Sequence, residues 1–390
     1  MHIVLDARWI FEEISGIGEY TRQLLRQLPA LAPEDRFSVI FAEEHLRERT
    51  VQETGLERFP NVTTVMLPAG LFSPKSQLLL PQMLRRLHAD VFHSPNYMIP
   101  LAAFPAHKRG RTACVATIHD MIPFLFPDHA PKSRKTRMFP LYKKLMRMIA
   151  ARTDAIITVS DASRRDIIEC LNIAENEQDK VVRIYNGVSA RDTGSRPAAP
   201  AAPIAKQKSR HFTALYVGRC DPYKNLDTLI RAIGLVETEP EWKGLLELKI
   251  AGTPDPRYPE AVELVRQCGF EYCIKWTGYL HDAELAQLYT AADFLVQPSR
   301  YEGFGLQVLE AMQAGLPVIA ARGGALPEVC GSAALMVEAG HAEELRDAII
   351  TLMCDPAKAD RLRKAGYENV KRFNWRKSAE ETLAVYRQMM

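Results

Sequence analysis

Short apolar runs rich in β-branched residues recur along this chain, and helical patterns separate them. In the first half the runs are HIVLDA, FSVIF, VTTVMLP, VFHSP, CVATIHD and AIITVS, ending near Ala7, Phe41, Pro68, Pro95, Asp120 and Ser160. In the second half they are FTALYVG, LKIAG, IKWTG, DFLVQPS, PVIAA and AALMV, ending near Gly218, Gly252, Gly278, Ser299, Ala321 and Val337. None keeps a strict apolar–polar alternation, which predicts strands covered on both faces. Strands that alternate with helices predict parallel sheets. Between the halves, RDTGSRPAAPAAPIAKQKSR, Arg191 to Arg210, is rich in Pro and Ala and reads as a linker. A chain of 390 residues is too long for one ordinary core. The expected fold class is α/β: two doubly wound parallel-sheet domains, residues 1–190 and 211–370, joined through 191–210.

Composition excludes several classes. A hydrophobic share of 47% and a charged share of 25% are those of a soluble globular protein. A net charge of +3 is too weak to argue for nucleic acid as a partner. The seven cysteines, Cys114, Cys170, Cys220, Cys268, Cys273, Cys330 and Cys354, are odd in number and contain no CxxC pair, which predicts reduced, mostly buried thiols and a cytoplasmic location. The start, MHIVLDARWI, reads as a first strand and not as a signal peptide. No apolar run reaches the roughly 18 residues of a membrane span.

In doubly wound folds ligands sit beyond the carboxyl ends of the strands, so residues there are the candidates. Gly16 and Gly18 of SGIGEY stand just before the helical pattern YTRQLLRQL, where free N–H groups suit an anion. The plainer reading is a loop turning into a helix. In VGRCDPYKN, Arg219 and Lys224 could neutralise a diphosphate, or form a solvated basic turn, while Asp221 or Asn225 could cap the next helix. Neither GIGEYT nor GRCDPY supplies a dinucleotide fingerprint, which argues against an oxidoreductase.

RYEGFGLQVLE, Arg300 to Glu310, places two carboxylates around a glycine turn. A helix starting near Gly305 would offer the amides of Phe304, Gly305 and Leu306 to phosphate. Glu310 then lies about 7 Å up that helix, and Glu302 lies in the loop below. Carboxylates accept hydrogen bonds and suit vicinal hydroxyls. A sugar nucleotide has hydroxyls on both sides of its diphosphate, so Glu310 is expected on the ribose and Glu302 on the sugar. The plainer alternative is a surface glutamate and a second one favoured by the helix dipole.

GRCDPYKN, WTGYL, RYEGFGLQVLEAMQAGLPVIAARGGALPEV and, in the first half, LDARW, SGIGEYTRQLL, TIHD, ITVSDASRRDI and IYNGV strongly resemble the retaining glycosyltransferases of family 4. The match runs on to FNWRKSAEETLAVY near the C-terminus and is poorest in the linker. The resemblance implies the GT-B fold, two Rossmann-like domains facing across a cleft, with 371–390 a C-terminal helix packing back on the N-terminal domain. It implies transfer of a hexose from a nucleotide-diphosphate sugar. The TIHD and LDAR variants are most similar to bacterial polysaccharide mannosyl- and rhamnosyltransferases, so a mannose-type, GDP-linked donor and a glycan or polyprenyl-diphosphate-linked acceptor are expected.

Carried over, the resemblance assigns Gly16 and Gly18 to a phosphate-facing loop and Arg219 and Lys224 to the diphosphate. Gly278, Tyr279 and Leu280 go to the nucleobase. Glu302, Gly303 and the amides of Phe304, Gly305 and Leu306 go to the donor sugar and its phosphates, and Glu310 to the ribose. His119 would face the donor sugar from the other domain, its plainer alternative being a core histidine. Asp120 orients His119, contacts the acceptor or caps a helix. Ser160 and Ser163 read first as caps, and His93 is undecided. No Asp-x-Asp, HExxH or clustered Cys/His set is found, so no metal and no cofactor is expected. A non-hydrolysing epimerase of the same fold and a non-catalytic sugar-nucleotide-binding protein are the alternatives.

PKSRKTRMFPLYKKLMRMIAAR, residues 131–152, has eight Lys or Arg and no acid. Leu141, Leu145, Met148 and Ile149 can share a helix face. The segment reads either as a domain helix with a solvated basic face or as a peripheral contact with the inner face of the cytoplasmic membrane.

Overall fold

The computed structural model describes residues 1–127, 138–189 and 210–390. The chain divides into two compact units: Met1–Phe124 with Met138–Gly187 and Asn374–Met390, and Leu125–Arg137 with Val188–Phe373. The described residues of the first unit hold β1 (His2–Asp6), β2 (Arg36–Phe41), β3 (Val62–Met66), β4 (Val91–Ser94), β5 (Ala113–Thr117), β6 (Ala155–Thr158) and β7 (Val181–Arg183). Those of the second hold β8 (Phe212–Val217), β9 (Leu246–Ala251), β10 (Ile274–Trp276), β11 (Phe294–Gln297), β12 (Val318–Ala321) and β13 (Ala334–Val337).

The first sheet has the order β3-β2-β1-β4-β5-β6-β7 and the second β10-β9-β8-β11-β12-β13. All their pairings are parallel; Val4, for example, lies opposite Ser38 on one side and Phe92 on the other. Every residue of β1, β4, β5, β6, β11 and β12 is buried, whereas the edge strand β3 is half-open. The continuous apolar runs therefore mark strands sandwiched by helices. Each sheet has its own core: Val4, Phe92, Ala116 and Ile156 meet Leu84, Met146, Ile149 and Ile167 in one, and Leu248, Ile250 and Val296 meet Leu229, Ile233 and Ile349 in the other. Burial of such side chains stabilises by roughly 1.5–3 kcal/mol each. In both sheets the order reverses at one point, between β1 and β4 and between β8 and β11, the switch point beside which ligands of doubly wound sheets sit.

Twelve predicted strands are present, several one to three residues shorter than their apolar runs. The seventh strand of the first sheet, VVR, is too short and too charged to signal itself. The linker lies outside the described residues except Arg210, which pairs with Asp293. Residues 131–137 of the basic segment also lie outside them. Helix Phe139–Ala150 buries Tyr142, Met146 and Ile149, so the apolar face expected through Leu141 and Met148 is displaced, and Leu141 is 54% exposed. The cysteines form no disulfide; Cys268 and Cys354 are exposed and four others buried. Among the described residues no helix is long and apolar enough to cross a membrane.

The last helix, Trp375–Gln388, is part of the first unit and packs on helix Gly16–Leu31. Asn374 caps it, accepting from the amides of Arg376 and Lys377. Tyr386 joins it to the sheet. His93 Nδ1 lies 2.5 Å from the Tyr386 hydroxyl and Nε2 2.8 Å from Thr117 Oγ1, which meets the Tyr20 hydroxyl at 3.0 Å. A neutral imidazole needs one donor and one acceptor, and hydroxyls can supply either. His93 is therefore a core histidine, and burial pushes its pKa down to about 3, helped by the nearby His119. A depressed histidine confers stability that is complete above the ordinary value of 6.5 and is lost as pH falls from there toward 3. Thermal unfolding followed by circular dichroism should show a midpoint that drops between pH 7 and pH 5, with a smaller drop in His93→Gln. Parallel drops in the two proteins would remove His93 as the source.

Candidate functional site

Two loops meet at the switch point of the second sheet. The first leaves β8, makes a short 3-10 turn at Pro222–Lys224 and enters helix Leu226–Thr238 through Asn225, whose backbone is left-handed at φ 62°. The second leaves β11 and enters helix Leu306–Gln313 through Gly305, at φ 96°. They are laced together: Asn225 Nδ2 donates to the Pro298 carbonyl at 2.9 Å, and the Arg300 amide to the Tyr223 carbonyl at 2.8 Å. The Asn225 side chain thus ties loop to loop instead of capping a backbone, and Asp221 makes no cap bond either.

The lacing brings Lys224 and Glu302 into one buried ion pair, with Nζ 2.7 Å from Oε1 and 2.8 Å from Oε2. Ser299 Oγ and Gln297 Nε2 also donate to Glu302 Oε1, at 2.6 and 2.7 Å. Lys224 is 7% and Glu302 6% exposed. Burial works against the Lys224 charge, yet the adjoining Glu302 overrides it and raises the pKa. Taking one partner from such a pair costs far more than the pair contributes. Gly324 lets the chain pass close behind the Glu302 backbone: at φ 56°, a Cβ there would sit 2.4 Å from the Glu302 main-chain carbonyl, which the Ala325 amide engages at 2.9 Å.

Arg219 differs. Its side chain is 62% exposed, with Nε 2.9 Å from Asp221 Oδ2. Its charged form is favoured; burial opposes this but is outweighed by Tyr223 and Asp221. The other Asp221 oxygen is buried and has no hydrogen-bond partner. Arg219 therefore presents an open cation beside a buried one. Glu310 stands on helix Leu306–Gln313, where the Tyr289 hydroxyl donates to Oε2 at 2.8 Å. Amides in a helix's first turn have no intrahelical acceptor. Gly278, at φ 76°, follows β10, and Tyr279, 49% exposed, packs edge-on to His281. Among the described residues no group of three or more His, Cys, Asp or Glu is disposed to hold a metal ion.

In the first unit the glycines are not in a loop. The helix begins at Gly16 with Ser15 as cap, and the Gly18 amide donates to Ser15 Oγ at 3.3 Å. That amide is already engaged, so the anion-facing loop expected of Gly16 and Gly18 is a helical first turn. Tyr20, two residues on, lies edge-on to His119 with ring centroids 5.0 Å apart. His119 Nε2 donates to the Pro95 carbonyl at 2.9 Å, and Ser163 Oγ donates to the His119 carbonyl at 2.9 Å. Burial pushes the imidazole down to about 4, so it is neutral at pH 7. Asp120 accepts from the Ile122 amide at 3.0 Å, as a cap of the short helix Ile122–Leu125. Ser160 caps helix Asp161–Leu171. The LDAR stretch holds a buried bidentate pair, Arg8 to Asp6 at 2.7 Å on both arms.

Sequence reading missed the partners: Gln297, Ser299, Tyr289 and the Asp221–Arg219 pair. One signal was present, since Gln297 and Ser299 put polar groups at the end of an otherwise apolar strand, just ahead of Glu302.

A family profile described as "Glycosyl transferases group 1" matches residues 202–369, and one described as "Glycosyltransferase Family 4" matches residues 14–192. The O-antigen chain mannosyltransferase B of Escherichia coli is 27% identical over 99% of this chain and 100% of its own length. The MMP alpha-(1->4)-mannosyltransferase of Mycolicibacterium hassiacum is 29% identical over 95% of this chain and 94% of its own. Among solved structures, sucrose-phosphate synthase from Thermosynechococcus elongatus superposes with a TM-score of 0.75 at 22% identity, covering 100% of this chain and 98% of that one. With the cation–carboxylate cluster at the switch point, two parallel sheets and matches across both halves, the chain belongs to the group 1 glycosyltransferases of family 4, with the GT-B fold.

Proposed function

We propose that this glycosyltransferase moves a mannose-type hexose from a GDP-linked donor to a glycan or polyprenyl-diphosphate-linked acceptor in cell-surface polysaccharide synthesis, on the cytoplasmic side of the membrane. The cluster of Arg219, Lys224 and Glu302 carries the reading of the reaction. The two mannosyltransferase relatives support the choice of sugar.

In this reading Arg219, open to solvent, meets the diphosphate first. Lys224 exchanges one carboxylate contact for the phosphate oxygen next to the breaking bond. The bond from the anomeric carbon to that oxygen breaks with positive charge developing on the sugar, and the cations offset the charge that departs. Glu302, relieved of part of its pairing, accepts donor-sugar hydroxyls, and Glu310 accepts the ribose hydroxyls. First-turn amides of helix Leu306–Gln313 add to the phosphate site, and Gly278, Tyr279 and Leu280 flank the base. Neutral His119 serves the donor sugar from the first unit. The acceptor adds on the face the phosphate leaves, retaining configuration, and its proton passes to the departing phosphate oxygen.

A thermal-shift screen with GDP-, UDP- and dTDP-sugars tests the donor, since only ligands of the folded state stabilise it. GDP-mannose should give the largest shift and should support transfer. A larger shift with a UDP- or dTDP-sugar would replace the donor, and release of an epimer without acceptor would replace the reaction.

The two cations should separate in mutants. Arg219→Ala and Lys224→Ala should each lower transfer about 10²-fold or more. Lys224→Ala should also destabilise the fold by about 3–5 kcal/mol, because Glu302 is left buried and unpaired, whereas Arg219→Ala should cost less, its own charge being hydrated although buried Asp221 loses its partner. Steady-state kinetics beside urea unfolding measures both, and equal stability of the two variants would contradict the burial argument.

The two carboxylates should separate as well. Glu310→Gln should weaken donor and free nucleotide diphosphate alike, by roughly 1–3 kcal/mol. Glu302→Gln should lower turnover by more than it weakens nucleotide diphosphate, and should also destabilise the fold because Lys224 is left buried without its counter-charge. Calorimetric titration of both variants checks this, and equal affinity losses would put Glu302 on the wrong half of the donor.

Arg219 and Lys224 already offer the diphosphate two fixed cations, so transfer should persist in excess chelator. Loss of activity in EDTA that Mg²⁺ or Mn²⁺ restores would assign part of the charge stabilisation to a metal.

A further inference from the structure

The Arg219 side chain is 62% exposed, and a long cation open to water samples many rotamers. Its backbone, by contrast, is clamped. The Tyr216 hydroxyl donates to the Arg219 carbonyl at 2.7 Å. Behind the preceding residue, a Cβ on Gly252 would lie 2.0 Å from the Gly218 carbonyl, so the end of β9 presses directly on the turn after β8. A fixed backbone settles where the side chain starts and not where its guanidinium ends.

The guanidinium is caught by Asp221. The Asp221 side chain is 2% exposed, with Oδ2 2.9 Å from Arg219 Nε. Burying a carboxylate is unfavourable unless it is paired, and this one does little else for the fold. It makes no cap bond to the turn Pro222–Lys224 that follows it, and its Oδ1 has no hydrogen-bond partner. Arg257, on the loop after β9, does not take it, because Arg257 Nε donates to Asp255 Oδ1 at 2.9 Å. Asp221 therefore serves Arg219, and it lies too deep to touch a substrate itself. At the far end of the guanidinium, Nη2 donates to the Tyr223 hydroxyl at 3.4 Å, a long bond that a stronger acceptor would displace. Nη1 is in no ion pair or hydrogen bond among the described residues. Held at Nε, the group keeps its terminal nitrogens for an incoming anion.

We infer that Asp221 is a positioning residue for transfer: it grips Arg219 at Nε and so presents the terminal nitrogens, already oriented, to the donor diphosphate. The inference rests on the proposed role of Arg219 at that diphosphate. Arginine suits this place because the single nitrogen of lysine cannot hold a carboxylate at one end and a phosphate at the other.

A double-mutant cycle in transfer assays tests it. Asp221→Asn should lower kcat/KM about 10-fold or more, and Arg219→Ala about 10²-fold. Asp221→Asn/Arg219→Ala should match Arg219→Ala within about 2-fold, because Asp221 acts only through Arg219. Added guanidinium should restore part of the transfer to Arg219→Ala and none to the double variant, since the vacated carboxylate is what seats it. Thermal unfolding checks that the variants fold. If Asp221→Asn does not, Arg219→Lys carries the test and should lose about 10-fold or more. Losses that multiply across the cycle, guanidinium rescue that ignores Asp221, or wild-type transfer by Arg219→Lys would overturn the inference. Faster transfer in Asp221→Asn would do the same, by making the carboxylate a brake on the cation. Full activity of Arg219→Ala would sink the reading of Arg219 and the inference with it, whereas a damaged Arg219→Ala beside an intact Asp221→Asn would sink the inference alone.

Discussion

The buried contact between Lys224 and Glu302 is the constraint around which the second unit is arranged. Two opposite charges out of reach of water require each other, and this pair bridges a sequence separation of 78 residues. It exists because β8 and β11 are neighbours at the point where the sheet order reverses. That adjacency sets the two loops side by side, and Asn225, Ser299 and Gln297 then hold them in register. Gly324 lets the backbone behind Glu302 come close enough to fix it. An anion that reaches this place meets a lysine already desolvated and already aimed, so much of the cost of organising it has been met during folding.

The clusters around Glu302 and around His93 treat buried polarity differently. Around Glu302 the second unit uses full charges, a lysine and a carboxylate with neutral donors at their flanks. Around His93 the first unit uses hydroxyls from Tyr20, Thr117 and Tyr386, which adapt to a neutral ring. A network of neutral groups is insensitive to an arriving phosphate, while a salt bridge is not. That contrast supports the proposed division, in which the charged cluster answers to the donor diphosphate and the neutral one adjoins His119.

Sequence reading worked where the physical signal was local. A buried parallel strand has both faces covered, so β-branched apolar runs marked twelve strands directly; VVR was hidden because it is only three residues long, follows Asp179 and Lys180 and ends in Arg183. The glycine turn before helix Leu306–Gln313 was legible because only glycine adopts φ 96° there without strain. Gly16 and Gly18 were read just ahead of a helix, and the structure puts them in its first turn with Ser15 as cap. The apolar face of helix Phe139–Ala150 was read partly right: Ile149 and Leu145 pack on the core, whereas Leu141 is exposed and Tyr142 and Met146 take its place. The lysine–glutamate contact could not be read at all. Each residue was visible as a ligand candidate, but their meeting depends on strand order, which spacing along the chain does not encode.

The return of helix Trp375–Gln388 to the first unit bears on how the protein is made. A chain emerging from the ribosome offers the first sheet long before it offers Trp375 and Tyr386, and most of the second unit, Val188–Phe373, lies between. Until the final turn is released, His93 faces an opening where the Tyr386 hydroxyl belongs, and the flank of helix Gly16–Leu31 is uncovered. The first unit to be synthesised is thus the last to be completed. A chain that lacked Tyr386 would leave His93 without that partner while the contacts of the second unit stayed in place, so the seam falls on the first unit alone.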